Sequence, residues 1–173
     1  MRGLRSNKNM NNRNMSISAE QCRAARGLLD LSQSKLAEAA HIGPATLSEF
    51  ERGDRIPAYN NLQAIRAALE AAGVVFIFAN GGGAGVRLRH AEVAGETAIS
   101  PDLCRAARYL SNLSQQELAK AADIGRSTVA EFESGARLPT SGNLTAIQSA
   151  LEAASVTFIA ADDTAGPGVR LRM

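Results

Sequence analysis

The chain predicts a mainly helical protein made of two tandem copies of one small domain, each of about four helices followed by a short β-hairpin. Three observations carry this reading. Residues 22–79 laid on residues 104–161 agree at about 35 of 58 positions without a gap, far above chance for an internal repeat. Within each copy, apolar residues recur at helical spacing and then give way to a compact β-branched and aromatic run, the change of period that separates helix from strand. Capping and stop residues cut the helical part into short pieces.

The elements follow in order. Ser18-Ala19-Glu20-Gln21 has capping-box spacing, and its counterpart Ser100 precedes Pro101 at a first helical position. The first helix then runs to about Asp30, or Asn112 in the second copy. Ser32 and Ser114 cap a second helix, Gln33–Ala40, which ends at His41-Ile42-Gly43; Ser114-Gln115-Gln116-Glu117 is again a capping box. A third helix, Pro44–Arg52, stops at Gly53, and its copy, Arg126–Ser134, at Gly135, glycine being suited to the left-handed position past a helix end. The fourth helix spans about Asn60 to Ala72, with Leu62, Ile65, Leu69 and Ala72 on one face.

Val74–Phe78, a glycine-rich loop and the alternating Val86-Arg87-Leu88-Arg89 then read as a hairpin, matched by Val156–Ala160 and Val169–Arg172. The loop is no phosphate cradle, since no Gly-Lys-Ser/Thr follows and no helix opens there. Val74–Phe78 is too apolar to stand exposed on both faces. It is expected to pair with Val156–Ala160 in one sheet shared by the copies; pairing with a second chain, giving a homodimer, is the alternative.

The organisation is thus a disordered basic arm (1–16), a first domain (17–89), an acidic linker (90–99) and a second domain (100–173). Net charge is only +2, but Arg2, Arg5, Lys8 and Arg13 crowd the arm without an acid, enough to reach a polyanion. No apolar run approaches the ~18 residues that cross a bilayer, and the polar N-terminus does not read as a secretory signal. Cys22 and Cys104 occupy the same place in each copy, which suggests two equivalent core thiols in a reducing, cytoplasmic protein, not a bridge. Enzymatic chemistry is not expected: the two histidines, His41 and His90, fall in a turn and a linker, and no cluster has metal-ligand spacing. No cofactor is expected either.

Two short helices joined by a three-residue turn make a helix-turn-helix. Ala37 and Ala119 sit where the helices cross closely. Ile42 with Leu47, and Ile124 with Val129, seal the corner. His41 and Asp123 hold the turn position usually taken by glycine, and both types tolerate positive φ better than most.

The run Ser32-Gln33, Leu36-Ala37, Ile42-Gly43, Thr46-Leu47-Ser48-Glu49-Phe50-Glu51-Arg52-Gly53 and Arg55-Ile56-Pro57 resembles the Cro/lambda-repressor (Xre) helix-turn-helix family. The second copy resembles it equally, from Ser114-Gln115 to Pro139. The resemblance covers roughly 22–72 and 104–154 and implies two lambda-repressor-like domains that bind double-stranded DNA for transcriptional control. It implies that base edges are met by Pro44, Ala45 and Glu49 in the first copy, and by Arg126, Ser127 and Glu131 in the second. It places backbone contacts near Gln33, Thr46, Arg52 and Arg55, with Gln115, Thr128, Ser134 and Arg137. Arg26 with Glu51, and Arg108 with Glu133, match a structural ion pair of the fold.

The chemistry of the two reading sets differs. Arg126 can bond guanine O6 and N7 together, Ser127 can read several edges, and Glu49 and Glu131 can accept from cytosine N4; Pro44 and Ala45 offer only contact with a thymine methyl. Fused, unequal heads suit an imperfect palindrome, and half-sites about 34 Å apart are within reach of a ten-residue linker, extended to roughly 33–36 Å. The expectation is therefore a repressor or autoregulator acting at the nucleoid. The rival is a protein-interaction regulator, an antitoxin or antiactivator, whose acidic third helices and apolar hairpins engage a protein partner.

Overall fold

We describe residues 16–79, 82–90 and 99–172 of a computed structural model. The expected basic arm, apart from Ser16, and all but the ends of the expected linker lie outside the described residues. Each half carries four helices and a hairpin. The first half has α1 (Ala19–Leu28), α2 (Gln33–Ala39), α3 (Pro44–Arg52), α4 (Tyr59–Ala71), β1 (Val74–Ile77) and β2 (Gly85–Leu88); the second has α5 (Pro101–Leu110), α6 (Gln115–Ala121), α7 (Arg126–Glu133), α8 (Ser141–Ala153), β3 (Val156–Ile159) and β4 (Gly168–Leu171). Among the described residues no helix is long and apolar enough to cross a membrane.

The local signals act as their chemistry requires. At α1 the Ser18 Oγ accepts from Gln21 N at 3.1 Å, while Gln21 Oε1 accepts from Ser18 N at 3.1 Å. Ser114 and Glu117 make the same reciprocal pair at α6, satisfying donors that a helix start leaves open. Gly53 and Gly135 take the left-handed conformation past α3 and α7, with φ of 81° and 71°. In the helix-turn-helix corners His41 and Asp123 adopt φ of 51° and 52°. Helix α7 ends one residue earlier than expected. Ser134 is its C-cap, and the Ser134 hydroxyl donates to the Glu131 carbonyl at 3.0 Å.

Equivalent apolar residues fill both halves. Leu36, Leu47, Ile65 and Leu69 are fully buried, as are Leu118, Val129, Ile147 and Leu151. The halves also share one continuous core, because α1 packs along α5 and the two hairpins join beneath them.

The shared sheet forms, but not by the expected strands. Its order is β1-β2-β4-β3, antiparallel throughout, so the first strands Val74–Ile77 and Val156–Ile159 lie at the edges and the second strands meet at the centre. Close approach decides it. A Cβ on Gly85 would lie 2.2 Å from the Val169 carbonyl oxygen, and one on Gly168 2.3 Å from the Val86 oxygen. Only strands with glycine at those points can pack there. Val86 sits opposite Val169, both fully buried, and bonds from Leu88 N to Pro167 O (3.0 Å) and Leu171 N to Ala84 O (2.9 Å) extend the seam.

Arg87 locks the junction. Its guanidinium donates to the carbonyls of Gly166, Ala160 and Ala165 at 2.9–3.0 Å, and to Asp162 Oδ2 at 2.9 Å. Thr164 and then Arg87, both bonded to the Asp162 carboxyl, hold its pKa well below the usual carboxylate range.

Candidate nucleic-acid interface

Each helix-turn-helix presents its third helix at the surface. Pro44 and Ala45 on α3, and Arg126 and Ser127 on α7, are exposed at the first turn. Both helices start at a glycine N-cap, Gly43 and Gly125, with no side chain bonded to the first-turn amides. The Thr46 and Thr128 N–H groups turn back to the Gly43 and Gly125 carbonyls at 3.0 Å, and Pro44 has no N–H to offer. One turn on, Glu49 and Glu131 are half-exposed, each facing an arginine from the following loop: Arg55 at 4.0 Å and Arg137 at 3.9 Å. The pairing offsets the repulsion a bare carboxylate exerts on phosphate, and both arginines remain more than three-quarters exposed.

The other expected contacts divide. Thr46 and Thr128 are half-buried on the same helices. Arg52 pairs with Asp54 at 2.7 Å and with the Ser48 hydroxyl. Ser134 has no such reach, its hydroxyl being turned back onto α7. Gln33 and Gln115 stand at the starts of α2 and α6, but the amide of each donates inward, to Glu51 Oε2 at 2.6 Å and Glu133 Oε2 at 2.9 Å.

Those glutamates are the hubs of the two expected ion pairs. Arg26 donates Nε and Nη2 to Glu51 at 2.6 and 2.7 Å, and Arg108 donates the same atoms to Glu133 at 2.7 and 2.8 Å. Each arginine also donates to a backbone carbonyl, Leu31 or Leu113. Burial works against the charge of Arg108, but the hydrogen bond and field of Glu133 outweigh it and raise its pKa; Arg26 is raised by Glu51 in the same way. The network ties the first helix of each half to its α2–α3 or α6–α7 unit, which fixes how the third helix is presented.

Two sets of contacts were not anticipated, the first made by the cysteines expected as core thiols. Cys22 and Cys104 each turn a thiol toward the buried glutamate, with Sγ 3.4 Å from Glu51 Oε1 and 3.7 Å from Glu133 Oε1. Both thiols are fully buried and free. Burial first, then the neighbouring carboxylate, pushes their pKa values far up, so they are inert protonated packing groups.

The second is the α1–α5 contact. Tyr109 lies over the guanidinium of Arg108 at 4.4 Å from ring centroid to Cζ, with Arg26 at 6.0 Å. Its ring fits because the equivalent position is Gly27, where a Cβ would come within 2.7 Å of Tyr109 Cδ2. Arg23 bonds to Asn112 at 3.0 Å, and Arg105 to the Gly27 carbonyl at 3.1 Å and to Asp30 at 3.4 Å. The one readable signal was Gly27 against Tyr109, a mismatch inside an otherwise repeated Arg-Ala-Ala-Arg-x-Leu stretch.

The helix-turn-helix family model matches the chain twice, over residues 23–71 and 105–158. No match is found among curated proteins. The matched segments contain both buried Arg–Glu pairs, both corner turns and both exposed third helices, and together they span more than half of the sequence. With two complete copies in one polypeptide, the chain belongs to the Cro/C1-type helix-turn-helix family of DNA-binding regulators.

Proposed function

We propose that this protein binds an imperfect palindrome as a single chain, with one helix-turn-helix on each half-site, and acts as a repressor or autoregulator. The observation that carries the reading is the joining of two diverged heads into one body: α1 against α5 and β2 against β4 hold the heads together, while Pro44-Ala45 in one head is replaced by Arg126-Ser127 at the equivalent positions of the other. A homodimer presents two identical reading surfaces and favours a true palindrome. Here the second head carries the hydrogen-bonding code, and the first contributes apolar contact and Glu49. Fusion raises the effective concentration of the second head once the first has docked.

Selection from random duplexes followed by footprinting tests this. The expected pattern is two unequal protected blocks centred one helical turn apart. Arg126→Ala should relax base preference in one half-site by about 1–3 kcal/mol at the contacted pair and leave the other unchanged. Equal loss in both halves rules the assignment out.

Exposed Ile56 and Leu138, 81% and 73% accessible at equivalent loop positions, favour a second reading, in which a protein partner docks beside the reading helices. Salt separates the two. A DNA reader with several phosphate contacts loses affinity steeply between about 50 and 200 mM salt, whereas a regulator of protein partners alone binds no duplex at either.

A further inference from the structure

The shared sheet breaks its own symmetry on the face that α1 and α5 leave uncovered. Val86 and Val169 point toward those helices and are fully buried, so by strand alternation Arg87 and Arg170 point the other way. Each arginine crosses a glycine of the neighbouring strand. A Cβ on Gly168 would lie 2.5 Å from Arg87 Cγ, and one on Gly85 2.7 Å from Arg170 Cβ. Each then runs onto the other half's hairpin loop: Arg87 onto residues 160–166, and Arg170 onto Gly82, where a Cβ would overlap the guanidinium.

The likeness stops at the charge. Arg87 meets three carbonyls and the Asp162 carboxylate. Arg170 is half-buried and has no hydrogen-bond or ion-pair partner among the described residues. The sequence from Phe78 to Gly85 holds no acid, with Asn80 at the sequence position of Asp162. On the same face of the edge strand β1, Ile77 stands opposite Gly85 and Val75 opposite Arg87, and Val75 is 37% exposed. Arg89 and Arg172 continue the face at the strand ends, their guanidinium groups bonded to backbone carbonyls only.

We propose that Arg170 seats a carboxylate from an acidic segment of a protein partner, which lays apolar side chains on Val75 and Ile77, and that Asp162 fills the equivalent seat of Arg87 from within. The molecule itself indicates the ligand: the matching arginine, crossing the matching glycine, pairs with an aspartate at 2.9 Å. The planar guanidinium fork suits a carboxylate. A second duplex suits the face less well, because Val75 and Ile77 flank the cation where a phosphate backbone calls for further donors. The proposal stands apart from the DNA-binding reading, since none of these residues belongs to a helix-turn-helix.

The test selects random peptides of about twelve residues, displayed on phage, with the full chain as bait. The retained peptides should carry Asp or Glu beside apolar residues. Synthetic copies should bind Arg170→Gln about tenfold more weakly, recover part of that loss in Arg170→Lys, which keeps the charge, and bind Arg126→Ala as they bind the wild type. Because Arg170 makes no bond in the folded chain, the glutamine variant should melt with the wild type, which separates a lost contact from a lost fold. Retention of no peptide, retention of peptides without an acid, or equal binding by wild type and Arg170→Gln overturns the seat. A tenfold loss of duplex affinity in Arg170→Gln also overturns it and gives the face to nucleic acid.

Discussion

Replacing Glu133 with alanine removes the acceptor for four donors at once: Nε and Nη2 of Arg108, at 2.7 and 2.8 Å, the Gln115 amide at 2.9 Å and the Cys104 thiol at 3.7 Å. Arg108 cannot easily escape to water, since its side chain is only 7% exposed and pinned between Tyr109 and the Leu113 carbonyl. Breaking a buried pair by deleting one partner typically costs about 3–5 kcal/mol. For a chain of this size that corresponds to a fall in Tm of about 6–20 °C, taking about 2–4 °C per kcal/mol. Glu51→Ala should fall toward the lower end, because Arg26 is 11% exposed and farther from the Tyr109 ring. Glu131→Ala, which breaks only the exposed contact to Arg137 at 3.9 Å, should cost under about 1 kcal/mol. Urea unfolding of the three variants beside the wild type measures all of these. A loss below about 1 kcal/mol for Glu133→Ala would refute the reasoning, since it would mean that Arg108 reaches solvent without the glutamate.

Other outcomes follow from the same contacts. Gly168→Val should destabilise by about 1–3 kcal/mol through overpacking, its Cβ meeting the Val86 oxygen at 2.3 Å; Gly142→Ala, a helical position with open space around it, should stabilise by about 0.4–1 kcal/mol, and thermal melts that reverse this order would contradict the tight seam. The buried thiols make stability depend on alkaline pH. Below an unfolded-state pKa of about 8.5 they are protonated in both states, and above it only the unfolded chain releases protons, so stability falls as pH rises, by up to about 1.4 kcal/mol per pH unit for each cysteine. Cys22→Ala/Cys104→Ala should flatten that slope between about pH 8.5 and 10, and a slope equal to wild type would show that the thiols ionise in the folded protein.

Much of the fold was legible because its signals are local. Serine caps, glycine stops and positive-φ turn residues act within three or four positions, so helix limits read from the chain agree with the structure to within one or two residues. The Arg26–Glu51 and Arg108–Glu133 pairs came from resemblance, and the structure brings their charged atoms to 2.6 and 2.7 Å. The inward-turned Gln33 and Gln115 amides did not announce themselves. Their direction depends on a carboxylate brought in by another helix.

The sequence alone determined that there are two helix-turn-helix units, where each helix begins and ends, and which surface residues differ between them, because periodicity and capping are written in neighbouring residues. Tertiary structure alone decided how the two units join. Apolar alternation says that a strand has a buried face but not which strand lies beside it, so the sheet seam was settled by where glycine lets backbones approach, at Gly85 and Gly168. The ring of Tyr109 found its place in the space left by Gly27 for the same reason: contact across 82 residues of chain is a matter of shape, and shape exists only once the halves have met.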